Sequence, residues 1–268
     1  MPKARKRGPV STEEPEGHIP ISHQESEEET TFHTVRVLLC VALFVAICFN
    51  LEALEKLSHP VLQFMASIRT PFTNRFLKLM GFFGFEFFFI LIPITCFAVS
   101  LDNNRRRLSF GFDLILLLIY TWIIGSLIKS VFARLRPYQL FDDINTPDDM
   151  AVLEYSFPSG HSTGSMICWT FLYDRLRVRR TNTQRIFIYL ATWIVVFFAS
   201  GSRIYFCVHF PHDVFAGWIL SFILYRFYSD WDVLPSVRAI VGLCGVMAVT
   251  CVFSSFELLL HMPGLVTC

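Results

Sequence analysis

The chain has 268 residues, 53% hydrophobic and only 17% charged, with 29 phenylalanines and a formal net charge of +1; its mean hydropathy is +0.49. A water-soluble domain carries about 25% charged residues, so this charge is too sparse to cover a soluble surface, and a net charge near zero provides no field for nucleic acid. The apolar residues gather in long runs with basic clusters between them, which excludes a disordered chain and points to a protein that crosses a membrane several times.

In chain order, residues 1–33 are predicted to be a disordered cytosolic tail, basic at Lys3, Arg5, Lys6 and Arg7, then acidic around Glu13–Glu16 and Glu25–Glu29, with no apolar periodicity to drive folding. The first apolar run begins only near Val35, so no cleavable signal peptide is expected. A helical span needs about 20 mostly apolar residues. The candidates are 35–54, 80–101, 111–132, 160–176, 186–201, 212–228 and 239–260. Segment 57–78, interrupted by Pro60, Arg69 and Pro71, is expected to be interfacial or re-entrant. The fourth and fifth spans are short, as expected where polar functional residues occupy helix ends. The predicted fold is all-α, a polytopic membrane helix bundle of about six to seven spans over residues 34–268.

The eight cysteines include no C-x-x-C pair, and nearly all lie within apolar runs. They read as small hydrophobes rather than as a zinc site or disulfide framework.

Basic residues set the orientation. The tail, the loop with Arg105, Arg106 and Arg107, the loop with Arg175, Arg177, Arg179, Arg180 and Arg185, and the loop with Arg226 and Arg238 fall on one side if seven helices alternate. Lys56, Arg69, Arg75 and Lys78 fall opposite, but the larger clusters outweigh them. Loops 132–160 and 201–212 are therefore placed on the extracytoplasmic side, where the chemically distinctive residues gather.

Three stretches stand out. Lys129 and Arg136 are seven residues apart and followed by Pro137; on one helix they would share a face. Cations at a span end either snorkel to headgroups or serve an anionic partner in a polar cavity. Phe157-Pro-Ser159-Gly160-His161-Ser162 reads as a helix start, whose unpaired N–H groups favour an anion while Gly160 permits close approach; the plain alternative is a capped helix with an incidental histidine. In Ser202-Arg203-x5-His209-Phe-Pro-His212-Asp213, the His209–Asp213 spacing of four brings a carboxylate towards an imidazole if the turn is helical, although Pro211 disturbs that geometry. A His–Asp pair also suits a metal, but the clustered cations Lys129, Arg136 and Arg203 repel a divalent ion and attract phosphate. His212 is the expected bystander. Cations, helix N-terminus, two histidines and a carboxylate on one side of the membrane make up the equipment for phosphoryl transfer to histidine, with no metal and no other cofactor required.

The ordered set K-x6-RP, PSGH and SR-x5-H-x3-D, complete over 129–213, resembles the signature of the type 2 phosphatidic acid phosphatase (lipid phosphate phosphatase) superfamily, which includes the vanadium haloperoxidases. The resemblance implies a six-helix core over about 80–228 and hydrolysis of a lipid phosphate monoester through a phosphohistidine. It implies His209 as nucleophile, Asp213 as its partner and His161 as general acid, with Lys129, Arg136, Ser159, Gly160 and Arg203 holding the phosphate. Partners would be the lipid substrate and membrane lipids. Polyprenyl diphosphate hydrolysis, transfer to another lipid alcohol and a non-catalytic scaffold are the alternatives; the last is disfavoured because both histidines are present.

Gly84-Phe-Glu86-Phe-Phe-Phe-Ile-Leu-Ile-Pro93 and Glu154-Tyr155-Ser156 resemble sphingosine-1-phosphate phosphatases, although that branch usually shows Thr where Gly160 stands. That lean carries with it an endoplasmic reticulum location. Glu86, an intramembrane carboxylate, either braces a phosphate-binding cation or reaches water at the interface.

Overall fold

The computed structural model describes residues 23–84, 91, 94–95, 105–152, 154–178 and 180–230. Among these the fold is all-α. Its seven helices are α1 (His23–Phe49), α2 (Leu51–Ser67), α3 (Pro71–Phe82), α4 (Arg105–Phe132), α5 (Gly160–Leu176), α6 (Asn182–Tyr205) and α7 (Pro211–Asp230), with a single helical turn at Pro137–Leu140 and a 3₁₀ turn at Asp148–Met150. The chain divides into two compact units, 1–38 and 39–268. In the first, helix α1 has already begun at His23, inside the tail expected to be disordered, and the Arg36 guanidinium lies 3.9 Å over the Phe32 ring.

In the second unit α5 is central and packs against α4, α6 and α7. Leu114, Leu117, Ile167, Cys168 and Phe171 form a buried cluster between α4 and α5, which Tyr228 of α7 joins. Cys168 and Cys207 are buried, and Cys40 and Cys48 are half-buried. Outward faces of α2, α3 and α6 expose Leu57, Phe64, Phe72, Leu79, Phe187 and Phe197, which suits lipid rather than water. This is an integral membrane protein with several apolar helices.

Among the described residues, two stretches are long and apolar enough to cross a bilayer alone, Gly111–Leu140 and Asn182–Tyr205. A third arises if α1 and α2 count as one span bent by 82° at Asn50. The six to seven expected were counted over the whole chain, and among the described residues the 20-residue α7 is not one of these two stretches. Helix α5 has only 17 residues and starts Gly-His-Ser-Thr-Gly-Ser, so its first turn is polar rather than apolar. The candidate span 239–260, most of 80–101, and Glu86 lie outside the described residues. The fifth candidate is longer than 186–201, because Thr181 caps α6 four residues upstream of Arg185 by accepting from Gln184 N–H.

Segment 57–78 is not a span. It comprises most of α2, which buries Leu51, Glu55, Ser58 and Leu62 along one stripe, and part of α3, which Thr70 starts with a reciprocal cap. The spacing of that stripe is what a helix lying against a bundle needs.

Close packing at the N-terminal end of α5 depends on Gly217 of α7. A Cβ there would stand 2.9 Å from Thr163 Oγ1, 3.0 Å from the Ser159 carbonyl oxygen and 3.2 Å from Ser162 Cβ. Gly217→Leu should therefore lower stability by about 1–3 kcal/mol through overpacking, read as a fall in the thermal unfolding midpoint of the protein in detergent.

Candidate functional site

The three sequence stretches meet where α4 ends and α5 and α7 begin. Lys129 occupies the last turn of α4, where a cation complements the helix C-terminus. The helix stops at Phe132, Ala133 takes a positive φ of 45°, and residues 133–136 are not helical. Lys129 and Arg136 therefore do not share a helix face as expected. Pro137 disfavours helical backbone at Arg136, which adopts φ −78° and ψ 157°. The two cations converge instead through the chain reversal, on the carboxylate of Glu154: Oε2 is 3.0 Å from Lys129 Nζ and 3.9 Å from Arg136 Nη2.

Arg136 is buried, and its Nε and Nη1 donors are engaged. Nε donates to the Glu154 carbonyl oxygen at 2.8 Å, and Nη1 donates to the Val208 carbonyl oxygen at 2.9 Å. The same Nη1 lies 3.3 Å from His209 Nε2. A guanidinium only donates, so Nε2 must present its lone pair and the ring proton belongs on Nδ1. On that side Asp213 Oδ2 is 3.5 Å away and Ser156 Oγ 3.4 Å. Ser156 Oγ in turn donates to the same Asp213 oxygen at 2.5 Å, and Phe210 N–H donates to it at 2.9 Å.

The His209–Asp213 pair thus forms without a shared helix. His209 sits in the turn after α6, and Asp213 in the first turn of α7, which Pro211 opens. Burial, followed by the charges of Arg136, Lys129, His161 and Arg203, holds the His209 imidazole well below its usual range. The group is a neutral, oriented imidazole with its lone pair towards the cations.

Ser159 caps α5 by accepting from Ser162 N–H at 3.4 Å, and it also accepts from the Ser162 hydroxyl at 2.9 Å. Its own N–H donates to the Asp213 carbonyl oxygen at 3.1 Å. Gly160 opens the helix, and a side chain there would meet nothing within 4 Å, so the space above the helix N-terminus is open. His161 follows, half-buried in the first turn.

Arg203 is buried in the last turn of α6, its Nε donating to Ser202 Oγ at 3.2 Å. Its carbonyl oxygen accepts from Val208 and His209 N–H, tying the turn to the helix. Gly81 of α3 makes room for this guanidinium: a Cβ at Gly81 would collide with Arg203 Nη2. His212 is stacked on Phe210 at 5.1 Å, with Nε2 3.5 Å from the second Asp213 oxygen, so it flanks the carboxylate.

Sequence reasoning missed three contributors. Ser156 had drawn notice only as part of a branch resemblance, yet it touches both Asp213 and His209. Glu55 of α2 is buried and receives Nε and Nη2 of Arg134, whose carbonyl oxygen accepts from Ser156 N–H at 2.8 Å. This buried ion pair anchors the strand of chain carrying Arg136. A carboxylate between the candidate span 35–54 and the segment 57–78 was the available signal for Glu55. Gly81 carried no signal, because its role is a distance to another helix.

Residues 110–233 match the family described as the PAP2 superfamily. An undecaprenyl-diphosphatase of Sulfolobus acidocaldarius is 28% identical over 55% of this chain, and this chain spans 65% of that protein's length. Phosphatidylglycerophosphatase B of Bacillus subtilis is 22% identical over 71% of this chain and 90% of its own. The crystal structure of the PAP2-type phosphatidylglycerolphosphate phosphatase from Bacillus subtilis superposes with a TM-score of 0.63 at 18% identity, covering 73% of this chain and 95% of that one. Aquifex aeolicus LpxE gives 0.52 at 22% identity, covering 65% and 96%. The matched stretch contains all three motifs that carried the expected resemblance to that superfamily. The lean towards sphingosine-1-phosphate phosphatases, and the endoplasmic reticulum location it carried, find no support, since these relatives have other names and come from prokaryotes.

A site built this way should bind a tetrahedral or five-coordinate oxyanion. Orthovanadate should raise the unfolding temperature of the purified protein. Arg136→Ala should abolish that rise, and Lys78→Ala, whose exposed partner is Asp149 in the 3₁₀ turn, should leave it intact.

Proposed function

Because residues 110–233 match the PAP2 superfamily, we propose that this chain is a membrane phosphatase that hydrolyses a lipid phosphate monoester at the extracytoplasmic interface through a phosphohistidine. The observation that carries the proposal is the pairing at His209: Nε2 faces the Arg136 guanidinium while Nδ1 faces Asp213 and Ser156. A neutral imidazole with a fixed tautomer and a lone pair aimed at an anion site is a nucleophile ready for phosphorus.

In this reading Lys129, Arg136 and Arg203, with N–H groups at Gly160 and Ser159's end of α5, hold the non-bridging oxygens and stabilise the charge of the transition state. His209 Nε2 attacks phosphorus. The P–O bond to the lipid breaks, and the leaving oxygen takes its proton from His161. Asp213 supports the imidazolium formed at His209. His161, now neutral, removes a proton from water as that water attacks the phosphohistidine, releasing inorganic phosphate and restoring both histidines. Ser159 contributes chiefly by capping α5, since its hydroxyl is already engaged there. The cations supply the charge that a metal would otherwise supply.

The names of the relatives bring two headgroups forward, a polyprenyl diphosphate and phosphatidylglycerophosphate. Both end in a terminal phosphate of the kind the site accepts, and both keep their tails in the bilayer. Phosphate release from a panel of polyprenyl phosphates and diphosphates, phosphatidate and phosphatidylglycerophosphate identifies the substrate.

His209→Ala should abolish phosphate release and the alkali-stable, acid-labile labelling of the protein by ³²P-substrate. His161→Ala should slow turnover by about 10²–10⁴-fold with a longer-lived label. A chelator such as EDTA should change neither rate. Label on the protein in His209→Ala, or metal-reversible inhibition by EDTA, would overturn the mechanism.

The pH profile carries its own sign. The nucleophile must be neutral, and activity is lost as pH falls through its lowered pKa. The acid limb of kcat/KM should therefore lie below the ordinary imidazole value of 6.5.

A further inference from the structure

The cations assigned to phosphate already hold an anion belonging to the chain. Glu154 Oε2 bridges Lys129 Nζ at 3.0 Å and Arg136 Nη2 at 3.9 Å. The Arg136 and Lys129 side chains are 4% and 18% exposed, whereas that of Glu154 is 66% exposed. The carboxylate therefore reaches the cations from the solvent side and stands at the mouth of the site. Lys129, with Arg136 behind it, holds the Glu154 carboxyl below its usual range, so it is ionised at neutral pH.

The loop does not need this side chain. Its backbone is held by the Arg136 Nε donation to the Glu154 carbonyl oxygen, by the Tyr138 hydroxyl on Val152, and by Ser156 N–H on the Arg134 carbonyl oxygen. The carboxylate can swing outward about its own side-chain torsions while the backbone stays in place. Phosphate oxygens and a carboxylate cannot occupy the same donors together, because like charges a few ångströms apart repel.

We propose that Glu154 is the resident counter-ion of Lys129 and Arg136, displaced by an incoming phosphate and retained at the mouth, where it selects against headgroups carrying further negative charge. The preferred substrate class is then a lipid phosphate monoester whose remaining headgroup is neutral or cationic, and a diphosphate is disfavoured. This rests on the phosphate-site reading of the previous subsection and narrows it.

The test compares wild type with Glu154→Gln and Glu154→Ala on a polyprenyl monophosphate and diphosphate with the same tail. Both variants should lower KM for the monophosphate by about fivefold, the scale of one partly exposed ion pair. The diphosphate should gain more, so that the monophosphate-to-diphosphate ratio of kcat/KM falls by about threefold or more. Orthovanadate should bind each variant about fivefold more tightly by thermal shift. A raised or unchanged KM, or an unmoved ratio, would overturn the proposal; so would an equal loss of kcat on both substrates, the signature of a loop-ordering role. A wild type that binds orthovanadate but releases phosphate from neither lipid nor from any other member of the substrate panel would reject the phosphatase reading instead, and the vanadate affinities alone would then decide the role of Glu154.

Discussion

The contact between Arg136 and His209 governs the rest of the site. A guanidinium cannot lose its proton and has no lone pair, so an imidazole nitrogen 3.3 Å from it has to accept. Both groups are buried, and two cations so placed would repel with little water to screen them. His209 is thereby kept neutral and its tautomer is chosen. Asp213 and Ser156 complete the choice by taking the other nitrogen, and the carbonyl oxygens of Glu154 and Val208 fix the guanidinium that started it.

That contact needs a rigid frame, and the frame is made from the weakest part of a membrane fold, the ends of its helices. The polar first turn of α5 would be a poor membrane segment, but Gly217 lets α7 press against it and Ser159 accepts from Ser162 N–H. Arg134 carries Ser156 on its carbonyl oxygen and is itself held by Glu55. A buried ion pair of this kind adds little stability over an apolar pair, but removing one member leaves an unpaired charge. Its evident consequence here is placement: α2 is coupled through it to the loop that presents Arg136. Gly81 does the same for Arg203 by standing aside.

Much of the site was legible because its residues are chemically conspicuous in an apolar chain. With charge so scarce, Lys129, Arg136, Arg203 and Asp213 stood out, and the structure gathers them around His209. The geometry between them was less legible. Helical periodicity suggested that Lys129 and Arg136 share a face, but Pro137 and the left-handed Ala133 end the helix between them. Hydropathy also left the details of the spans open, since a window of apolar residues does not reveal a bend at Asn50 or a helix of 17 residues that starts on a polar turn.

By itself the sequence determined the membrane habitat, the all-α class and which cations, histidines and carboxylate make up the candidate site, because these follow from composition and from residue types at set spacings. Only the tertiary structure decided which nitrogen of His209 faces the cations, that Ser156 and Glu55 stand behind the site, and that Glu154 rests on the cations. Those are distances between segments far apart in the chain, such as the 79 residues from Glu55 to Arg134, set by how helices pack rather than by any local pattern. The scarcity of charge marked where to look. Packing decided what each charge touches.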